Sequence, residues 1–127
     1  QRKKIEKFYK NYFKKFKFIK IREDEKNLDS SYHLFNLRIN FKKMKISKIK
    51  FYKLMRDRFG ITMQVHYIPT YKFNLFNRFI NKKKIHKDFP NTEKYYEQTF
   101  SIPLFIGLKE RKLLYICNSI IHSIKKC

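Results

Sequence analysis

The sequence predicts a single α+β domain, spanning residues 1–127, in which a small sheet is covered by helices on one face. Three observations carry this reading. Apolar residues recur at three- and four-residue steps in the opening stretch, in the stretch from Ser47 to Phe59 and in the closing stretch. Residues 31–40 alternate with period two, the pattern of a strand with one buried face. The strand signals are too few for a sheet to stand alone in water, so helices must cover it.

From Arg2 to about Phe18, Ile5, Phe8, Tyr9, Tyr12, Phe13 and Phe16 fall on one face of a helix, with lysines on the other. The next segment, Ile19 to Asp29, holds four of the ten acidic residues (Glu23, Asp24, Glu25, Asp29) and reads as a connection with at most one short strand. In the strand at Ser31 to Asn40, the set His33, Phe35, Leu37, Ile39 is the more apolar over its later half. Ser47 to Phe59 carries Ile49, Tyr52, Leu54, Met55 and Phe59 at helical spacing and stops at Gly60, where a glycine ends helices. The apolar run Ile61 to Ile68 then reads as a strand ended by Pro69.

Thr70 to Asp88 is polar, basic and weakly periodic, and predicts a surface excursion with a short helix around Leu75 to Ile80. Phe89-Pro90-Asn91-Thr92-Glu93 reads as a turn and cap, with Asn91 or Thr92 receiving the free N–H groups of a helix running to about Phe100. Ser101 to Phe105 is extended around Pro103, and Gly107 turns the chain. Lys109 to Ile124 closes the domain as a helix with Leu113, Leu114, Ile116, Cys117, Ile120, Ile121 and Ile124 on one side.

The chain carries 32 Lys+Arg against 10 Asp+Glu, a formal net charge of +22, which is the footprint of a nucleic-acid or anionic-surface binder. The same enrichment in Lys, Ile, Asn, Phe and Tyr is what an AT-rich genome produces, so charge alone does not choose a partner. In the opening stretch the aromatics fall on one side, which favours burial over base stacking. Nucleic acid is therefore the disfavoured partner. Cys117 and Cys127 have no metal-ligand or disulfide spacing, which fits a reducing, cytoplasmic setting. No run approaches the length of a membrane helix. The chain opens on Gln1, as a piece of a longer protein would.

Four segments follow one another in a familiar order. They are Ser30-Ser31-Tyr32-His33-Leu34; Phe59-Gly60-Ile61 with Gln64-Val65-His66-Tyr67-Ile68-Pro69; Asp88-Phe89-Pro90-Asn91-Thr92-Glu93-Lys94; and Ser101-Ile102-Pro103-Leu104-Phe105 with Gly107-Leu108. Together they resemble the C-terminal small domain of the DegT/DnrJ/EryC1/StrS aminotransferases, which place amino groups on nucleotide-linked sugars. The QVHYIP segment looks most like the branch acting on UDP-linked 4-keto-6-deoxy hexoses, on the path to pseudaminic-acid-type sugars. After Pro69 the sequence departs from the family, with Thr70-Tyr71-Lys72-Phe73-Asn74-Leu75-Phe76 and extra basic residues in a loop that lies near substrate in the family.

The resemblance implies a fold-type-I enzyme, usually a homodimer, with a short, mostly antiparallel sheet in this small domain. It implies pyridoxal phosphate held by a lysine and an aspartate of a large domain absent from this chain, and amino transfer from an amino-acid donor, commonly glutamate, to a keto sugar. No catalytic or cofactor-binding residue is assigned here, and the chain alone is expected not to transaminate.

The substrate-binding candidates are His66 and Tyr67, which the family match puts at the mouth of the active site, where an imidazole and a phenol can hydrogen-bond sugar or phosphate oxygens. The competing reading makes His66 a packed strand residue with a satisfied ring and Tyr67 a core aromatic. His33 reads as structural, with Ser30 or Ser31 tying down a turn. Arg38, Arg56, Arg58 and Arg78 are each either a diphosphate clamp or a solvated charge. Two further readings of the whole chain stand beside the first: a free-standing basic binding module, and the inactive remnant of a broken gene.

Overall fold

In a computed structural model, which describes residues 1–22 and 29–126, the elements run α1 (Arg2–Phe13), β1 (Ile19–Ile21), β2 (Phe35–Ile39), α2 (Lys48–Asp57), α3 (Ile85–Asp88), α4 (Pro90–Gln98), β3 (Thr99–Ile102) and α5 (Glu110–Lys126). The acidic residues Glu23, Asp24 and Glu25 of the expected connection, and Cys127, lie outside the described residues. The strands form one antiparallel sheet in the order β1-β2-β3. Ile19 pairs with Ile39 on one side of β2, and Phe35 pairs with Ile102 on the other. This is the α+β architecture expected, but helices do not keep to one face, since Tyr95 of α4 packs against Asn36 and Arg38 on the side of β2 away from the core.

The alternation in β2 is realised, because Phe35, Leu37 and Ile39 are buried while Asn36 and Arg38 are half-buried on the opposite face. Ile5, Tyr9 and Phe13 of α1 and Leu113, Ile116, Cys117, Ile120, Ile121 and Ile124 of α5 join them in one core with Phe51 and Met55 of α2. Phe100 of β3 is fully buried there, with its ring centroid 5.4 Å from that of Phe51 and 6.2 Å from that of Phe41. Burial drives the Cys117 thiol up to about 12, so it is a packing group and not a nucleophile.

Several boundaries differ from expectation for local reasons. The first helix stops at Phe13, and Phe16 and Phe18 instead pack as partly buried side chains leading into β1. The opening helix of residues 2–18 is thus one turn shorter than its apolar period suggested. Ser47 caps α2, its hydroxyl accepting the Lys50 N–H at 3.3 Å. The helix closes at Gly60, whose φ of +62° suits glycine, with Gly60 N–H donating to the Arg56 carbonyl and Ile61 N–H to that of Met55. Ile49, expected on the apolar face, is 70% exposed, and Phe51 takes the core position.

The expected strand at Ile61 to Ile68 is reduced to one bridge between Gln64 and Ser101. Extending that antiparallel register would set Thr62 opposite Pro103, which has no N–H to give, so the ladder cannot propagate towards Ile61. Ile61 and Met63 are nonetheless buried. The excursion after Pro69 contains no helix at residues 75–80. It forms single 3₁₀ turns at Thr70–Lys72, Asn74–Phe76 and Lys82–Lys84 before α3. Pro90 occupies the first position of α4 and makes Phe89 the cap, so Asn91 and Thr92 lie inside the first turn and cap nothing. That helix ends at Gln98 because Thr99 and Phe100 are recruited to pair with Arg38 and Leu37. Leu114 faces out of α5, 40% exposed.

Candidate functional site

The segment carrying His66 and Tyr67 crosses the free edge of β3 and then leaves it. Gln64 N–H donates to the Ser101 carbonyl at 3.2 Å and Ser101 N–H to the Gln64 carbonyl at 2.7 Å, which fixes the segment at its start. Beyond this bridge the backbone runs without ladder partners to Pro69. Tyr67 is 76% exposed, so it is not a core aromatic. His66 is half-buried, with the Tyr67 ring edge-on against it at 4.7 Å between centroids. Both imidazole nitrogens are covered and have no hydrogen-bond partner, so His66 is not a satisfied strand histidine either. A buried nitrogen without a partner costs roughly 1–3 kcal/mol, and a ligand or a shift of Tyr67 that supplied one would recover it.

Downstream, the segment is held by a buried carboxylate that composition alone does not single out. Glu93, in the first turn of α4, is 5% exposed. The Tyr71 hydroxyl donates to its Oε1 at 2.8 Å and the Lys72 ammonium to its Oε2 at 3.0 Å. His86 Nδ1 of α3 stands 3.6 Å away. Burial works to raise the Glu93 carboxyl, but the hydrogen bonds from Lys72 and Tyr71 and the nearby positive charge outweigh it and hold the group below the ordinary carboxylate value. Desolvation, then the bond to Glu93, pushes the Tyr71 phenol up to about 12. The Tyr71 ring also stacks on Phe89, with centroids 4.6 Å apart and planes at 12°. The signal available in the sequence was Glu93 itself, one of few acids in a strongly basic chain, three residues after Pro90.

Beside this segment lies a groove of about 720 Å³, bordered by Val65, Met63, Ile46, Ile49, Tyr52 and Tyr96. Lys42, Lys48, Lys53, Arg56 and Glu97 also line it. Lys48 donates to the Tyr96 carbonyl at 2.7 Å, and its ring contacts are Tyr52 and Tyr96. Lys42 binds Glu97 at 3.0 Å.

The four arginines do not converge. Arg38 lies over the Tyr95 ring, Arg58 over Phe59 and Arg78 over Phe79, while Arg56 pairs with its neighbour Asp57. His33 is exposed, and the Ser30 hydroxyl accepts the Tyr32 N–H at 3.1 Å, the turn expected there. Among the described residues no group of three or more His, Cys, Asp or Glu is placed to hold a metal ion, and no helix is long and apolar enough to cross a membrane.

A three-stranded antiparallel sheet packed with helices, with an anchored and exposed loop at its edge, has the fold of a part of about a third of the chain in aminotransferases of known structure. The chain belongs to the DegT/DnrJ/EryC1/StrS aminotransferase family, whose sequence profile matches residues 1–121. A protein of Methanocaldococcus jannaschii, MJ1066, is 27% identical over 120 residues, covering 94% of this chain and 30% of that protein. The UDP-4-amino-4,6-dideoxy-N-acetyl-beta-L-altrosamine transaminase of Campylobacter jejuni subsp. jejuni is 30% identical over 132 residues, covering 99% of this chain and 33% of that enzyme. Helicobacter pylori PseC, an aminotransferase involved in the biosynthesis of pseudoaminic acid, superposes with a TM-score of 0.77 at 22% identity, over 99% of this chain and 32% of that one. The chain thus spans about a third of the length of the curated relatives it matches.

Proposed function

We propose that this chain forms one wall of the substrate site of a pyridoxal-phosphate-dependent transaminase, and that His66 and Tyr67 contact a nucleotide-linked 4-keto-6-deoxy sugar. The observation that carries the reading is the pairing of an exposed Tyr67 with a His66 ring whose two nitrogens have no partner, on a segment fixed at both ends. The name of the Campylobacter relative supports the substrate class. The amino donor is an amino acid, glutamate in the simplest case, and the enzyme works as a cytoplasmic homodimer.

Pyridoxal phosphate needs a lysine for its aldehyde and an acid for its ring nitrogen. Lys48 is the half-buried lysine that desolvation, with help from Lys72, holds below its ordinary value against the pull of Glu97. Its ammonium is already given to the Tyr96 carbonyl, and among the described residues no aspartate lines the groove beside it. These residues do not fit the cofactor. On our reading a large domain supplies that centre, and this chain supplies binding and closure.

Titration of the 127-residue chain with UDP-N-acetylglucosamine, followed by amide NMR at about 0.15 M salt, tests the substrate reading. We expect shifts centred on Val65 to Ile68 that His66→Asn and Tyr67→Ala abolish. Shifts spread over the lysine-rich surface and lost as salt rises would favour the basic binding module instead, since phosphate contacts made by surface cations are strongly salt-dependent.

A further inference from the structure

The segment between Gln64 and Tyr71 is slung between two anchors, and both belong to one continuous stretch of chain. At its start Gln64 exchanges two backbone hydrogen bonds with Ser101 of β3. At its end Tyr71 and Lys72 converge on Glu93 of α4. The strand β3 follows α4 with no intervening loop, since α4 ends at Gln98 and β3 begins at Thr99. The α4–β3 unit is itself tied to the sheet, because the Ser101 hydroxyl donates to Asn36 Oδ1 at 2.6 Å, and Asn36 Nδ2 donates to the Tyr95 hydroxyl at 3.3 Å. The distance between the two anchors is therefore set by secondary structure and not by the loop.

We infer that Glu93 is a positioning residue: by clamping Tyr71 and Lys72 it fixes where Pro69, and with it His66 and Tyr67, stand relative to the sheet. The mechanical link is short. Lys72 N–H donates to the Pro69 carbonyl at 2.9 Å and Phe73 N–H to that of Thr70 at 3.0 Å, so the clamped residues and the end of the His66–Ile68 span form one turn. Pro69 has a fixed φ and adds no slack. Without Glu93, the described contacts of this turn are its own backbone bonds, the Tyr71–Phe89 stack and Lys72 over the Tyr96 ring at 4.6 Å, a weaker and less directional hold than the paired bonds to the carboxylate. A binding residue must be held to within about half an ångström and is only as well placed as the shell behind it. Glu93 touches no substrate in this arrangement and acts through Tyr71 and Lys72. Its importance for substrate binding rests on the function proposed above, whereas the clamp itself does not.

The test compares Glu93→Gln, which keeps an acceptor for Tyr71 but removes the charge facing Lys72, with Glu93→Asp, which keeps the charge one methylene short. In the 127-residue chain, ¹⁵N order parameters of residues 66–73 report the clamp, and UDP-N-acetylglucosamine affinity reports its use. In Glu93→Gln we expect order parameters across 66–73 to fall from the rigid range near 0.85 towards 0.6 or below. The amides of β2 and α5 should keep their protection, and affinity should drop about tenfold, with part of both effects restored in Glu93→Asp. Unchanged order at 66–73, or loosening shared equally by β2 and α5, overturns the inference. If the wild-type chain binds no nucleotide sugar while Glu93→Gln still loosens the loop, the clamp stands and the substrate reading falls.

Discussion

The hydroxyl of Tyr9 in α1 donates to the carbonyl of Pro103 at 2.8 Å and so joins the first helix to the segment that follows the last strand, 94 residues away. The phenol is pushed well above its ordinary value, chiefly by desolvation. Tyr9→Phe keeps the ring in its contact with Phe35 at 5.1 Å and removes only the donor. Leaving that carbonyl without its partner should cost about 1–2 kcal/mol, read as a fall of several degrees in the thermal midpoint.

Phe100 sits where the sheet meets α2, against Phe41, Phe51 and Tyr52. Phe100→Ala should cost about 3–5 kcal/mol through lost burial and the cavity left behind. For a domain of this size that is a large share of total stability. Chemical denaturation should show a lower midpoint with little change in slope, and an unchanged midpoint would contradict the packing described.

Acid should loosen the loop before the core. Glu93 has a folded value below the ordinary 4.5, so its contribution is fully present above that pH and is lost as pH falls through the lower, folded value. The groups facing it are Tyr71 and Lys72 from the loop and His86 from α3. Tyr71 shifts the other way, from 10.0 to about 12, so its share is present below pH 10 and fades as pH rises towards the folded value. Tyrosine near-ultraviolet dichroism, followed from pH 7 to 3 and from pH 9 to 12, should show both phases in the wild type. Glu93→Gln should lack the acid one.

His66→Phe offers a sharper separation of roles. Replacing an imidazole whose nitrogens lack partners with an apolar ring removes two unsatisfied groups, so stability should be unchanged or rise by up to about 1 kcal/mol. Nucleotide-sugar affinity should fall in the same variant. Tyr67→Ala, at a side chain 76% exposed, should change stability by less than about 0.5 kcal/mol. Thermal unfolding paired with the NMR titration reads both quantities, and loss of stability in His66→Phe would mean that the ring is packed in a way its contacts do not show.

Much of the fold was legible because the signals that revealed it are local. The glycine stop at Gly60, the alternation around Leu37 and, Leu114 apart, the apolar face of α5 each read correctly from neighbours in sequence. What failed depended on partners far along the chain. Ile61 to Ile68 has the composition of a strand, but the register sets Pro103 against Thr62 and stops the ladder on that side of Gln64. Residues 75–80 lack the period for a helix and settle into isolated turns. In the candidate site, His66 and Tyr67 were singled out by resemblance to the family and not by periodicity. Glu93 was seen as part of a motif and a cap, because its meaning lies in Tyr71 and Lys72, more than twenty residues earlier.

Because the two feet of the His66 span stand on one helix-strand unit, the stretch from Phe73 to Lys84 is free of any duty to hold them apart. Insertions, basic runs and aromatic swaps there leave the span's footing where it is. That is a molecular arrangement suited to tinkering: the loop can change in length and charge while the platform beneath stays constant.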